Sequence, residues 1–266
     1  MERGIVYIDT HCHLDFPDYD GDRAAVLESA AKAGVKTQIS ICTTTNNADA
    51  VRALSAANPS VYHSAGIHPC HVDEGLFSLE ELLSRAAHPR CVGLGETGLD
   101  VFHNKEAAHI DRQRKSFRLH MAASQETNLP VIVHSRDCDE MTVDELEQSF
   151  AHKKFPFVIH CFTGSIAFAE AVLRLGGYIS VSGIVTFKSA AALRNVLETV
   201  PLERLLIETD APYLAPGTYR GKRNEPAFVV ETAKALAALK GVPLDELAAT
   251  TTANARRLFT KLPQHD

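Results

Sequence analysis

The sequence predicts an α/β fold, and within that class a closed (β/α)8 TIM barrel. Three observations point there. Short runs rich in Val, Ile and Leu alternate eight times with longer stretches at helical spacing. The runs are apolar throughout, as parallel strands covered by helices on their outer face require. GLGETG at 93–98 matches GxGxxG, but the next helix is expected only at 107, so no glycine loop opens a helix as an open, nucleotide-binding sheet requires, and no GxxxxGK loop follows any run. At 266 residues the chain has the length of one such barrel, and a single domain over 1–266 is expected.

The strands are expected at 5–9, 37–42, 61–65, 91–95, 131–134, 157–161, 178–181 and 205–208. The intervening helices are expected at 23–33, 48–57, 79–87, 107–126, 141–150, 166–175, 190–199 and 227–240, with one or two extra helices in the tail from 244 to 259. Gly34, Gly176 and Gly241 lie just past helical runs, where a left-handed cap is wanted.

Hydrophobic residues make up 45% and charged residues 23%, an ordinary globular composition that gives class and not function. A net charge of -6 lacks the basic footprint of a tight duplex-DNA binder. It leaves room for a nucleic-acid substrate, because bound cations would reverse the local sign of an acidic, His-rich pocket. Six cysteines, Cys12, Cys42, Cys70, Cys91, Cys138 and Cys161, contain no CxxC pair and read as reduced thiols. The opening MERGIVYIDTHCH runs straight into a strand pattern and no apolar run approaches the roughly 20 residues of a membrane span. A cytoplasmic protein without a leader or membrane contact is expected.

Residues with metal-binding side chains gather at strand ends: His11 and His13 after the first, His68 after the third, Glu96 after the fourth, His134 after the fifth, His160 in the sixth, Glu208 and Asp210 at the eighth. Parallel barrel strands all end on one rim, where active sites are built from residues far apart in sequence. His11 and His13, two apart on extended chain, project from one face toward a common ion. Glu96, in GLGETGLD, has two oxygens and is placed to bridge two cations that would compensate its burial. Asp210 ends the last strand, where it would bind one ion and take a proton from water. Glu208 and Asp100 are expected to support the ligands, Glu208 also having the option of binding directly. Arg220, Lys222 and Arg223 in YRGKRNE form one compact basic cluster suited to phosphate contact. His63, His71, His88, His103, His109, His120, His152 and His265 are not assigned as ligands, although His71 lies close enough to His68 to touch substrate.

The motifs DTHCHLDF, GIHPCHV, GLGETGLD, LPVIVHSRD, VIHCFTG, LLIETDAPYLAP, RNEP and NARRLF occur in an order that resembles the TatD family of metal-dependent deoxyribonucleases, within the amidohydrolase-like barrels. The resemblance covers nearly the whole chain. It implies a metal-dependent hydrolase with two divalent ions, Mg²⁺, Mn²⁺ or Zn²⁺. Matched residue by residue, it implies His11, His13, Glu96 and Asp210 around one ion and Glu96, His134 and His160 around the other. Asp210 and Glu96 would be catalytic, and His68, Arg220, Arg223 and Asn224 would meet the substrate, expected to be the end of single-stranded DNA cut from the 3′ side.

Three other readings stay open at this point. The same centre would serve an esterase, lactonase or amidase, including a D-aminoacyl-tRNA deacylase, because an activated water attacks carbonyl carbon as well as phosphorus. A barrel that holds metal without catalysis would have a closed ligand set. A DNA-binding regulator would show a basic recognition helix and dimeric half-site logic; neither is visible, and a monomer is expected.

Overall fold

In the computed structural model, residues 4–264 are described, and His265 lies outside them. Eight parallel strands follow one another in sheet order: β1 (Tyr7–Cys12), β2 (Val35–Ser40), β3 (Val61–Ala65), β4 (Cys91–Asp100), β5 (Val131–Arg136), β6 (Phe157–Ile159), β7 (Tyr178–Val181) and β8 (Leu205–Ile207). Between and after them run α1 (Arg23–Lys32), α2 (Ala48–Ala57), α3 (Leu79–Ala86), α4 (Ala107–Thr127), α5 (Asp139–Phe150), α6 (Ile166–Arg174), α7 (Ala191–Thr199), α8 (Val229–Lys240) and α9 (Leu244–Leu258). The sheet curls until β8 meets β1, so the expected (β/α)8 barrel is what the chain forms.

Closure at that seam is carried by a few specific bonds. Just past β8 the backbone forms a parallel bridge between Cys12 and Ala211, with Asp210 N–H donating to His11 O at 2.9 Å and His13 N–H to Ala211 O at 2.7 Å. The buried Asp9 side chain reaches across, accepting from Thr209 N–H at 2.9 Å and the Thr209 hydroxyl at 2.6 Å.

The barrel interior contains one apolar side chain from each strand: Ile8, Ile39, Tyr62, Val92, Ile132, Val158, Tyr178 and Leu206. Ala255, Leu258, Phe259 and Leu262 join the same cluster, so the C-terminal helix closes the barrel floor. Asn254 fastens it by donating to Leu202 O and Leu205 O, both at 2.9 Å, and Thr252 donates to Val6 O at 3.1 Å. The tail is thus one helix. A second, larger apolar layer lies between the strands and helices such as α4, α6 and α8.

Several boundaries differ from expectation for identifiable reasons. β1, β4 and β5 continue past their apolar runs into THC, ETGLD and SR, because polar side chains there point into a polar rim. β6 and β8 stop short, at Ile159 and Ile207, where the chain bends into the site. α5 begins earlier, at Asp139, with Asp139 and Glu140 stabilising its first turn against the helix dipole. α8 begins later because Pro226–Phe228 forms a 3₁₀ turn. Gly34, Gly176 and Gly241 adopt positive φ as expected, and Asn128 does the same after α4.

No helix among the described residues is long and apolar enough to cross a membrane. The six cysteines are free thiols.

Two outcomes follow for stability. Phe259→Ala removes a fully buried ring from the floor plug and should cost about 3–5 kcal/mol in urea unfolding; a loss under about 1 kcal/mol would show that α9 does not seal the barrel. His120 in α4 is buried, and burial lowers its pKa to about 4 while its ring nitrogen bonds Ser116 O. The unfolded chain therefore takes up this proton first as pH falls from 6.5 toward 4, and stability is full above that window and lost within it. His120→Gln should remove up to roughly 3 kcal/mol of that pH dependence, read as the slope of unfolding free energy against pH.

Candidate metal centre

Strand geometry aims the polar residues inward. Pairing of β1 with β2 shifts register between Asp9 and Cys12, and pairing of β4 with β5 shifts between Leu94 and Thr97, each inserting one extra residue at the rim. The second bulge turns Glu96 into the barrel. It depends on Gly95, whose φ is +143° and whose Cβ would sit 2.5 Å from Ile132 O. Asp210 and Cys161 also have positive φ, at 56° and 43°, as the chain leaves β8 and β6.

The result is a buried carboxylate surrounded by imidazoles. Glu96 Oε1 lies 2.7 Å from His160 Nε2, 2.9 Å from His134 Nδ1 and 3.4 Å from His68 Nε2, while Oε2 lies 3.3 Å from His11 Nε2. Asp210 Oδ1 stands 3.3 Å from His13 Nε2 and 3.6 Å from His11 Nε2. His11 and His160 stack with ring centroids 3.9 Å apart, and His160 Nε2 is 3.4 Å from His134 Nδ1. Donor atoms of His11, Glu96 and His160, of His11, His13 and Asp210, and of His68, Glu96 and His134 each fall within 4.8 Å of one another.

This donor set fits divalent cations better than it fits itself. His11 Nε2, which faces both Glu96 and Asp210, is buried without a hydrogen-bond partner. Such groups are costly unless something else takes the lone pair. A divalent cation held among the converging nitrogen and oxygen donors would take it.

The charges follow from the same crowding. Burial would raise the Glu96 carboxyl, but His160, His68 and His11 outweigh it and hold it well below its usual range. Burial likewise opposes ionisation of Asp210, and His13 and His11 overcome it. Burial and then His160 lower His11, which keeps it neutral and able to bind an ion. Burial also works against protonation of His160, but Glu96 and Glu208 raise it well above the usual value.

Partners behind the cluster fix the rings. His134 Nε2 faces Asp100 Oδ2 at 3.1 Å, leaving Nδ1 toward Glu96. Glu208 Oε1 accepts from Cys161 N–H at 2.7 Å and lies 3.4 Å from His160 Nδ1, so it stands behind His160. His68 Nδ1 accepts from Cys70 N–H at 3.1 Å, which places its proton on Nε2. That tautomer makes His68 a hydrogen-bond donor into the site.

The cluster opens on a cavity of about 640 Å³ that His68, His71 and Asp210 help line. The expected basic and amide contacts stand elsewhere. Arg223 pairs with Asp22 at 2.6 Å and lies over the Tyr19 ring, because an acidic partner distant in sequence captures it. Asn224 is fully buried, donating to Thr209 O at 2.9 Å and Tyr213 O at 2.6 Å, so it braces the turn after β8. Arg220 stacks over Phe187 at 4.6 Å, and none of the three lines the cavity. Sequence reasoning missed Asp9, whose signal was a carboxylate inside an apolar strand two residues before an HxH pair. Burial pushes its carboxyl up to about 8 against the Thr209 hydrogen bonds. It also missed Arg136, which lines the cavity beside the exposed rings of Phe102 and Tyr213.

An eight-stranded parallel barrel with a His, Glu and Asp cluster on the rim defines a metal-dependent hydrolase. The family model described as TatD related DNase matches residues 8–260, and the chain belongs to the TatD family. It is 43% identical over 255 residues, 95% of each chain, to an uncharacterized metal-dependent hydrolase, YcfH, of Escherichia coli K12. It is 37% identical to the uncharacterized metal-dependent hydrolase YabD of Bacillus subtilis, covering 94% of this chain and 98% of that one. The crystal structure of YjjV, a TatD homolog from E. coli K12, superimposes with a TM-score of 0.88 at 34% identity, covering 97% of this chain and 98% of the other.

Removing the shared carboxylate should be felt at every donor group it joins. Glu96→Ala is expected to weaken divalent-ion binding by more than about tenfold, measured by elemental analysis after dialysis. Unchanged metal content would show that Glu96 is not a ligand.

Proposed function

We propose that the chain is a deoxyribonuclease, a 3′-5′ exonuclease that hydrolyses DNA phosphodiester bonds at single-stranded ends. The observation that carries this reading is the setting of the cluster: it lies in a cavity whose rim presents the exposed rings of Tyr213 and Phe102 together with Arg136. Exposed aromatic rings offer stacking surfaces to unpaired bases, and a guanidinium offers a fork for phosphate. The family description, TatD related DNase, supports the same substrate class.

His11, His13, Glu96 and Asp210 would hold one divalent ion, and Glu96, His134 and His160 a second. Such a pair, Mg²⁺, Mn²⁺ or Zn²⁺, acidifies water and neutralises charge that develops on phosphate oxygens. Asp210 is ionised, and its Oδ1 is occupied by the two histidines, which leaves Oδ2 to orient water and accept its proton. His68, carrying its proton on Nε2, donates to a phosphate oxygen and steadies it as bonding at phosphorus changes. Phe16, stacked on His13 with centroids 4.7 Å apart, continues the aromatic wall beside Tyr213.

The test compares wild type and Asp210→Asn on 5′-labelled single-stranded DNA and on ester and aminoacyl-ester substrates at fixed metal. Wild type should release mononucleotides from the 3′ end, and Asp210→Asn should lose roughly 10²–10⁴-fold in turnover while retaining much of its metal. Turnover of acyl esters with intact DNA would overturn the nuclease reading, and equal loss of metal and activity would make Asp210 a ligand alone.

A further inference from the structure

A second set of metal donors stands at the same cavity, apart from the Glu96 cluster. Cys70 comes from the Pro69–His71 turn after β3, Asp100 ends β4, and His103 lies on the turn that follows. Cys70 Sγ, an Asp100 oxygen and a His103 ring nitrogen lie within 4.8 Å of one another. Asp100 Oδ2 is 2.7 Å from His103 Nδ1 and 3.7 Å from Cys70 Sγ.

The turn alone does not require this convergence. Asp100 Oδ1 already accepts the amides of Phe102 at 3.0 Å and His103 at 2.9 Å, which closes the turn. Oδ2 is then approached by three groups, His103, Cys70 and His134 Nε2, whereas a carboxylate oxygen offers about two lone pairs. A cation among Cys70, Asp100 and His103 relieves the excess: Oδ2 keeps the His134 hydrogen bond and gives its other lone pair to the ion. Cys70 and His103 both line the cavity, so an ion can enter and a further position is open to water or an anion.

We propose that Cys70, Asp100 and His103 form a separate cation site for a thiophilic divalent ion of the Zn²⁺ class. Sulfur, imidazole and carboxylate together select such an ion over Mg²⁺, which takes oxygen ligands and keeps its waters. On binding, the Cys70 S–H bond breaks as the S–metal bond forms, the proton passes to solvent, and no electron is transferred. The Nδ1 proton by which His103 bonds Asp100 Oδ2 passes through solvent to Nε2, which frees the Nδ1 lone pair for the ion. Asp100 then joins this ion to His134, one hydrogen bond from the Glu96 cluster.

Co²⁺ titration of the full-length protein in Mg²⁺ buffer tests this, with the sulfur-to-cobalt charge-transfer band and equilibrium dialysis as readouts. Wild type should show a band with the intensity of one thiolate-bound Co²⁺ per chain, separate from any Co²⁺ taken by the Glu96 cluster, and Zn²⁺ should abolish it. C70S and H103A should each lose the band and about one equivalent of bound Co²⁺, and C161S, which removes the other thiol lining the cavity, should keep both. The His103 side chain is 61% exposed, and a circular dichroism spectrum matching wild type checks that H103A is folded. Absence of the band in wild type, its survival in C70S, or its loss in C161S would overturn the proposal.

Discussion

A single buried carboxylate organises the site. Glu96 is 2% exposed, and an unpaired charge at that depth would cost several kcal/mol. The chain meets that cost by bringing imidazoles from β1, from the β3–α3 connection, from β5 and from the end of β6 to within 3.4 Å of its two oxygens. Of those rings, His11 has neither nitrogen hydrogen-bonded, and His160 Nδ1 has Glu208 at 3.4 Å. Carboxylate and rings are thus mutually dependent, and their converging donors fit a divalent cation.

The same dependence explains why barrel closure and chemistry share residues. Asp210 reaches His11 and His13 only because the chain after β8 is held against β1, and the Asp9–Thr209 bonds and the Cys12–Ala211 bridge hold it there. Asn224 extends the brace by pinning the turn through Thr209 and Tyr213. At the opposite end, α9 plugs the floor and ties down residues flanking β1 and β8. A barrel seam is its weakest line of hydrogen bonding, and here it is reinforced at both ends.

Much of this was legible in the residues. Eight apolar runs separated by helical stretches specify a parallel sheet covered by helices, and eight units over this length favour its closure into a barrel. His11, His13, Glu96, His134, His160 and Asp210 stood out because polar groups at strand ends have no packing reason to be there, and the structure brings them together. What periodicity hides is partnership across long sequence distance. YRGKRNE reads as a free basic loop, yet Asp22 claims Arg223 and the β8 turn claims Asn224. Asp9 reads as an interruption in a strand, and its meaning lies in Thr209. The ring tautomer that makes His68 a donor depends on the amide of Cys70, which no pattern reveals.

The most direct measurement is an anomalous-scattering map from crystals grown with Mn²⁺. Two peaks roughly 3.5–4 Å apart are expected, one on either side of the Glu96 carboxylate, with His11, His13 and Asp210 on one and His134 and His160 on the other. A single peak not touching Glu96, or Mn²⁺ bound away from these histidines, would contradict a centre built on a shared carboxylate.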